Sequence, residues 1–393
     1  MPYWRISGFY AFYYAILGIW MPFWPLYMHS IGYGAAAIGL CSAVFQGTRI
    51  AAPFLWGYIS DRTGKRLRVI QLGCVLCFLS FFIIYINNEL GTILLALGLY
   101  SFFWSAVLPQ FEVITLEHLK DRPENYSRLR LWGSVGFIAA SVGLGLYFDF
   151  QPIGHFLYWV SLILALMMLN SFFIPESDTA PHGRAPAANN VQPQQSVDGA
   201  FKPLLLRSSA IWFLLCVVLN QMSLGPYYGF YPLLTEQVGF STTHLGLLWM
   251  VAVGAEIVLF WHAAKILKRF SIRHLLVAAT LGGALRWSLY ATVPDSVAVQ
   301  IVGQLLHALV FALFHTVLIE YVRRLFAGTH HGFGQALFNA LGYGIGSIIG
   351  IGGGGLLWEL MQQQVFYLAA LCSILATVCA LLSTAGGASR SSR

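Results

Sequence analysis

Long apolar segments recur along the whole 393-residue chain, and most are long enough to form a helix that crosses a membrane. Such a helix needs roughly 20 apolar residues to cross about 30 Å of hydrocarbon. Only 9% of the residues are charged, whereas a soluble domain carries about 25%. The strands of a membrane barrel would be shorter and would alternate apolar with polar residues, unlike these segments. The sequence therefore predicts an all-α integral membrane protein.

The apolar segments fall into two sets of six. The predicted helices are 6–28, 35–59, 68–87, 91–117, 129–148, 153–174, 208–232, 242–266, 272–291, 296–320, 331–357 and 361–384. The stretch between the two sets is rich in Pro, Ala, Asn and Gln, which indicates a flexible polar linker. The predicted organisation is a six-helix bundle over 1–174, a linker over 175–207, a second six-helix bundle over 208–385 and a tail over 386–393.

The positive charges predict how these helices are oriented. With the N-terminus inside, all but three of the 22 Lys and Arg residues fall on the cytoplasmic side. The exceptions, Arg49, Arg130 and Arg286, lie within predicted helices. By the positive-inside rule, both termini are expected in the cytoplasm. The net charge of +7 then reflects orientation in a bacterial inner membrane, and no nucleic-acid partner is expected.

The two halves contain an internal repeat. Residues 17–50 align without a gap on residues 224–257, with 11 of 34 positions identical. Two six-helix halves in parallel repeat are the plan of the major facilitator transporters, which bind substrate between the halves. The alignment places Arg49 on Glu256, so we expect these opposite charges to face each other across a central cavity. A shift of one residue likewise places Glu112 on Glu320.

A short loop resembles the signature of the major facilitator superfamily. Residues 57–66 read GYISDRTGKR and lie between the second and third predicted helices. In that family the loop gates the cytoplasmic side, and Gly57 is expected to permit a close helix contact. The alternative is a basic loop that only follows the positive-inside rule. The residues of the expected gating motif are Gly57, Asp61, Arg62, Gly64, Lys65 and Arg66.

Two further segments indicate a subgroup. NYSRLRLWGSVGF (125–137) and LGIWMPFWPLY (17–27) resemble the phenylpropionate permease group, which is related to lactose permease and the oligosaccharide:proton symporters. The resemblance implies that Glu112 and Arg130, eighteen residues apart as in those relatives, bind substrate. It also assigns Glu256, Arg286 and His307 to substrate binding and proton coupling.

The chain departs from the lactose permease pattern at two positions. The His-x-x-Glu of the tenth helix reads His307-Ala-Leu-Val310, so the acid that carries the proton in the sugar symporters is missing. The tryptophan that stacks on the sugar ring is replaced by Phe137. Both departures argue against a lactose-like substrate. They leave Glu256, Glu112 and Glu320 as candidate proton carriers.

Each charged candidate also has a structural interpretation. Glu112 and Arg130 either bind substrate or form a buried ion pair that only joins two helices. Arg49 is expected at mid-membrane, where it either binds a carboxylate bidentately or only balances Glu256. Glu320 either carries the proton or is a solvated helix end. Ionisable residues inside a membrane are functional by default, which favours a ligand role for Glu112 and Arg130.

Aromatic residues make up 15% of the chain. The motifs WMPFWPLY and PYYGFYPLL occupy repeat-equivalent positions near the outer ends of the first and seventh helices. Most of these rings are expected to serve packing and the membrane interface. The candidates for stacking on a ring-bearing substrate are Tyr10, Tyr14, Phe137 and Tyr227.

The sequence therefore predicts a proton-coupled symporter that imports a small organic solute by alternating access. An aromatic carboxylate such as 3-phenylpropionate is the first substrate candidate, a sugar or oligosaccharide the second, and a nucleoside or siderophore-type solute the third. Efflux by proton antiport is the alternative direction. The expected partners are the substrate, the proton and the lipid bilayer. We expect a monomer that needs no cofactor because the proton gradient drives transport.

A membrane enzyme is the alternative from another class of protein, and the sequence does not favour it. The eleven histidines make no H-E-x-x-H metal motif. The six cysteines lie in apolar segments and are interpreted as small buried hydrophobic residues, so no metal site is expected. A receptor of the same fold that does not transport is the remaining alternative.

Overall fold

A computed structural model describes residues 2–120, 125–176, 207–326 and 331–385. The regular structure of these residues is entirely helical, which confirms the predicted fold class. Most of the predicted linker (175–207) and the whole predicted tail (386–393) lie outside the described residues.

The first half contains six α-helices that end within a few residues of the predicted bounds, except where 3-10 turns shorten the third and sixth. The helices are α1 (Tyr3–Ser30), α2 (Ala35–Thr63), α3 (Arg66–Phe81), α4 (Leu90–Leu119), α5 (Tyr126–Phe148) and α6 (Phe156–Phe172). The 3-10 turns extend α3 over Phe82–Tyr85 and precede α6 over Ile153–His155. The helix pair α1 and α5 packs closely because Gly136 lies against the backbone of Ala11, where a Cβ atom would collide with the carbonyl oxygen.

The second half is helical too, but its last helices are interrupted. Its α-helices are α7 (Ser208–Gln237), α8 (Thr242–Arg269), α9 (Ile272–Thr292), α10 (Val297–His307), α11 (Phe314–Leu325), α12 (His331–Phe338), α13 (Gly354–Met361) and α14 (Val365–Thr384). A π-helical segment, Ala308–Leu313, joins α10 to α11. Two more, Asn339–Gly346 and Ile349–Gly353, lie between α12 and α13. π-Helical turns occur frequently at functional sites.

Ten helical segments among the described residues are long and apolar enough to cross a membrane. Helix α9 is not one of them, because the charged Arg286 lowers its hydropathy. One of the ten is the 51-residue run Gly334–Thr384, whose backbone breaks at Gln362 with φ +50°. The described residues thus contain enough long apolar helices for a multi-pass membrane protein, whereas the number of twelve crossings stays a prediction.

The Cα positions divide the chain into two compact units. The first is Met1–Pro186 with Thr235–Met250, and the second is Ala187–Leu234 with Val251–Arg393. Thr235–Met250 groups with the first unit by Cα proximity, and within that unit the start of α8 is hydrogen-bonded to the end of α5, while the predicted bundle bounds stay a prediction. Asp149 accepts hydrogen bonds from the Thr242 hydroxyl at 2.6 Å and from the Thr243 amide at 3.3 Å. Buried apolar residues of α7, α9, α11 and α14 form the core of the second unit.

Candidate functional site

The first unit holds a cluster of charged and aromatic side chains from α1, α4 and α5. We call Tyr10, Tyr14, Glu112, Tyr126 and Arg130 the Arg130 cluster. The guanidinium carbon of Arg130 lies 3.9 Å from the ring centroid of Tyr14 and 5.9 Å from that of Tyr10. A guanidinium in this position is attracted to the negative face of the ring. The Arg130 guanidinium is therefore held by cation–π contacts with the tyrosine rings of α1.

Glu112 contacts a different member of the same cluster. Its Oε1 accepts a hydrogen bond from the Tyr126 hydroxyl at 3.3 Å. Within the described residues, no carboxylate oxygen lies within 4.0 Å of an Arg130 nitrogen. The direct ion pair considered for Glu112 and Arg130 is therefore not formed in this structure. Arg130 retains its capacity to form an ion pair with a ligand.

Phe137 lies on the same helix as Arg130, two turns further along α5. Its side chain is buried, and its ring centroid lies 6.0 Å from that of Trp249. Helical spacing places positions seven residues apart on nearly the same face. The structure thus brings an aromatic ring and the Arg130 cluster onto one side of α5.

The second unit holds a chain of hydrogen bonds that runs from a carboxylate to a guanidinium. We call Glu256, His307, Arg286, Gln304 and Tyr227 the His307 chain. Nε2 of His307 lies 2.8 Å from Oε1 of Glu256, and Nδ1 lies 2.7 Å from Nη1 of Arg286. Arg286 also donates to Oε1 of Gln304 at 3.1 Å, and the Tyr227 hydroxyl donates to the same oxygen at 2.9 Å.

These bonds determine the tautomer of His307. A guanidinium has donors only, so Nδ1 of His307 accepts from Arg286 and carries no hydrogen. Nε2 then carries the ring proton and donates it to Glu256. The imidazole is neutral in this arrangement, which follows from the hydrogen-bond network.

Burial differs along the His307 chain. The side chains of Arg286 and His307 are 0% and 2% exposed, whereas that of Glu256 is 18% exposed. Arg286 is further surrounded by rings, with its guanidinium carbon 4.0 Å from the Tyr227 centroid and 4.6 Å from that of Trp287. Glu256 is therefore the partly exposed end of an otherwise buried chain.

Two other charged candidates have partners on their own helices. Arg49 is exposed and donates to Oε1 of Gln46 at 3.0 Å. Its expected approach to Glu256 would join the two units and stays a prediction. Both carboxylate oxygens of Glu320 accept from Arg323 at 2.8 Å, and Oε1 also accepts from Arg324 at 2.8 Å. These bonds favour the interpretation of Glu320 as a helix end.

The expected gating motif forms the turn between α2 and α3. Asp61 and Arg66 form an ion pair at 2.8 Å across the turn. Gly64 ends α2 with φ +65°, a left-handed conformation that glycine adopts without strain. A Cβ atom at Gly57 would meet nothing within 4 Å, so the close helix contact expected there is absent from the described residues. Arg62 donates to the Tyr58 hydroxyl at 2.6 Å, and Lys65 directly precedes α3.

Two residues of these clusters, Tyr126 and Gln304, were not predicted from the sequence. Tyr126 lies one turn before Arg130, and Gln304 lies one turn before His307, so each shares a helix face with a residue that was found. The spacing of one helical turn could have indicated both residues, but Tyr126 and Gln304 are uncharged, and neutral polar residues are common in the sequence. Gln304 connects Arg286 to Tyr227, and Tyr126 holds Glu112.

Comparison with known proteins adds independent findings. The family model described as "MFS_1 like family" matches residues 3–369. A protein of Escherichia coli (strain K12) named "Probable 3-phenylpropionic acid transporter" is 28% identical over 382 residues, which cover 94% of this chain and 95% of that protein. A maltose permease of Geobacillus stearothermophilus is 29% identical over 350 residues, covering 88% and 85%.

Solved structures share the fold at lower identity. The crystal structure of the nucleoside transporter NupG superposes with a TM-score of 0.83 at 17% identity, over 98% of this chain and 99% of that one. The crystal structure of a D-xylose-proton symporter superposes with a TM-score of 0.69 at 14% identity, over 96% and 95% of the two chains.

Proposed function

Because the chain belongs to the MFS_1 like family of membrane transporters, we propose that it is a proton-coupled symporter that imports an aromatic carboxylate such as 3-phenylpropionate. The observation that carries the proposal is the position of Arg130. Its guanidinium lies on the Tyr14 ring, and no carboxylate of the described residues lies within 4.0 Å of its nitrogens.

This geometry suits an aromatic acid. A guanidinium donates two parallel hydrogen bonds to a carboxylate from its edge, while its face lies on the tyrosine ring. Phe137 offers a second ring two turns along α5 for the apolar part of the substrate. The relative named "Probable 3-phenylpropionic acid transporter" supports the same chemical class.

The His307 chain supports proton coupling, with Glu256 as the proton carrier. A proton added to His307 would have to enter at Nδ1, where it would displace Arg286 and place two cations in contact. A proton added to Glu256 neutralises a half-buried carboxylate and leaves the bond between His307 and Arg286 intact. The second location costs less free energy, because like charges at short range repel strongly in a low-dielectric interior.

The proposed cycle is alternating access about a site at the membrane midplane. Substrate and proton bind from outside, and the neutral form of Glu256 lowers the cost of reorienting the loaded carrier. Twelve crossings, cytoplasmic termini, a location in the bacterial inner membrane and a monomeric state complete the proposal. The turn Asp61–Arg66 is proposed as the cytoplasmic gate.

Sugar:proton symport is the second candidate function, and Glu112 favours it. A carboxylate accepts hydrogen bonds from sugar hydroxyls, and Glu112 is half-buried with only the Tyr126 hydroxyl bonded to it among the described residues. The 29% identical maltose permease is consistent with this alternative.

Transport into proteoliposomes tests the proposal. We expect labelled 3-phenylpropionate to accumulate when the outside is acidified, and a protonophore to abolish the accumulation. The uptake of maltose under the same gradient is measured for comparison. Accumulation of maltose without 3-phenylpropionate would replace the first function with the second, and uptake insensitive to the protonophore would refute proton coupling.

A further inference from the structure

We propose that Gly133 is a positioning residue that seats the Arg130 guanidinium on the Tyr14 ring and thereby sets the preference for a carboxylate over an uncharged analogue. Gly133 is buried on α5, three residues after Arg130. This inference deepens the proposed function and rests on it, because it assumes that Arg130 binds the substrate carboxylate.

The space next to the Cα atom of Gly133 is occupied by the side chains of Tyr14 and Arg130. A Cβ atom built there would lie 2.7 Å from Cδ2 of Tyr14, 2.8 Å from Nη1 of Arg130 and 3.1 Å from Cγ of Tyr14. Carbon atoms of unbonded groups do not approach this closely, since favourable separations are about 3.5–4.0 Å. The observed stacking therefore requires a residue without a side chain at position 133.

The consequence of a methyl group at this position is local. Nη1 is the far end of a flexible side chain, so the guanidinium can move away, and the Tyr14 ring can turn. No backbone atom is among the three atoms nearest to the built Cβ atom. Alanine also favours a helix over glycine by about 1 kcal/mol. We therefore expect Gly133→Ala to keep the fold and to displace Arg130 from the ring.

Displacement changes the geometry of recognition and leaves the charge of Arg130 in place. With its face on Tyr14, the guanidinium directs its edge donors in one plane, as a bidentate bond to a carboxylate requires. A guanidinium that has left the ring pays the entropy of ordering its side chain when it binds. The affinity for the carboxylate is therefore reduced. The affinity for the corresponding amide is not, because the amide lacks the two anionic oxygens that accept the bidentate hydrogen bonds.

Two other glycines of α5 are matched controls. Gly143 is exposed, and a Cβ atom there would meet nothing within 4 Å. A Cβ atom at Gly136 would collide with the backbone of Ala11, which cannot move without separating α1 from α5. Gly143→Ala thus tests the effect of alanine on the helix, and Gly136→Ala tests the effect of disturbed packing.

The experiment measures 3-phenylpropionate uptake by proteoliposomes, together with its inhibition by 3-phenylpropanamide. For Gly133→Ala we expect a KM about tenfold higher for the acid, on the order of one good polar contact, with kcat within about twofold. Inhibition by the amide and the Tm should match those of Gly143→Ala. A KM for the acid equal to that of the wild type would overturn the inference, as would an equal loss of affinity for acid and amide.

Tyr14→Leu gives a second route to the same result. It removes the ring without adding a methyl group at Gly133, and we expect the same selective loss for the acid. In the double variant Gly133→Ala/Tyr14→Leu the two losses should not add, because both act on one contact. Additive losses would overturn the positioning role.

Arg130→Gln separates the inference from the proposed function. If Arg130→Gln leaves the ratio of acid to amide affinity unchanged, the carboxylate site is not at Arg130 and the role that the proposed function gives to Arg130 is wrong. If Arg130→Gln lowers that ratio and Gly133→Ala does not, only the inference about Gly133 is wrong.

Discussion

Nη1 of Arg286 donates to Nδ1 of His307 at 2.7 Å, which leaves the imidazole only Nε2–H to offer to Glu256. This relationship gives the three residues different roles. Arg286 is a buried cation and His307 is a neutral link in the hydrogen-bond chain, while Glu256 is partly exposed and is the group that binds the proton in the proposed cycle. An ordinary pair of histidine and carboxylate would exchange its proton between the partners, whereas Arg286 disfavours the imidazolium form.

Removal of the Arg286 charge should move the pH dependence of transport. In Arg286→Gln, a proton on the pair Glu256–His307 no longer meets a cation, so proton binding becomes easier. We expect the midpoint of the pH profile for substrate binding to move to higher pH. Substrate affinity measured from pH 5 to pH 9 provides the test. A midpoint that stays in place or moves to lower pH would contradict the role of Arg286 as a fixed cation.

Glu320 should not take part in coupling. Both of its oxygens accept hydrogen bonds from Arg323, and Arg324 adds a third, near the end of α11. Arg323 and Arg324 are exposed, and ion pairs with solvent-screened partners of this kind contribute about 0–1 kcal/mol to stability. We expect Glu320→Gln to keep accumulation driven by the proton gradient within about twofold of the wild type, since only a surface contact is lost. Loss of accumulation with exchange retained would make Glu320 a proton carrier after all.

The turn between α2 and α3 should govern rate and not affinity. Asp61→Asn weakens the 2.8 Å ion pair with Arg66 that spans the turn. We expect slower uptake with substrate affinity within about threefold of the wild type, because the turn is proposed as a gate and not as a ligand. Stopped-flow uptake and equilibrium binding measure the two quantities. Normal turnover with a large loss of affinity would refute the gate.

Asp149 should stabilise the first unit in a pH-dependent way. Partial burial alone would raise the pKa of Asp149, but the hydrogen bonds from Thr242, Thr243 and Ser241 outweigh it and hold the pKa below its ordinary value. A carboxylate with a lowered pKa stabilises the fold above its ordinary pKa, and that contribution disappears as the pH falls through the folded-state pKa.

Asp149→Ala should therefore lower the free energy of unfolding by about 1 kcal/mol at pH 7, the usual net contribution of an intramolecular hydrogen bond. The difference from the wild type should shrink as the pH falls below about 4. Thermal unfolding in detergent at several pH values measures it, with the exposed Asp295→Ala as control. A difference that does not depend on pH would mean that the carboxylate charge is not what stabilises the start of α8.

The positions of the helices followed from the sequence because each apolar segment had to match the thickness of a bilayer. The π-helical segment after His307 could not be predicted from the sequence. A local change of helix type depends on packing against neighbouring helices and leaves no pattern in the hydropathy. Helix α9 was predicted at 272–291 and is observed at Ile272–Thr292, but Arg286 lies inside it and it is not among the ten segments apolar enough to cross a membrane, so the number of crossings stays a prediction.

The candidate site was predictable in part. The resemblance to known transporters pointed to Glu256, Arg286 and His307, and the structure joins all three. The bond of Glu112 to Tyr126 was not foreseen. A carboxylate and a guanidinium eighteen residues apart can each contact an aromatic ring or a hydroxyl group instead of one another. Spacing alone does not predict which of these contacts forms.

The most direct test of the account replaces Glu256 with glutamine and compares two modes of transport in the same proteoliposomes. Glutamine resembles the protonated carboxylate, so we expect Glu256→Gln to bind 3-phenylpropionate without pH dependence and to exchange it across the membrane. Accumulation against a gradient should be lost, while Glu320→Gln retains it. If Glu256→Gln still accumulates substrate in response to an imposed proton gradient, Glu256 does not carry the proton and the central claim is wrong.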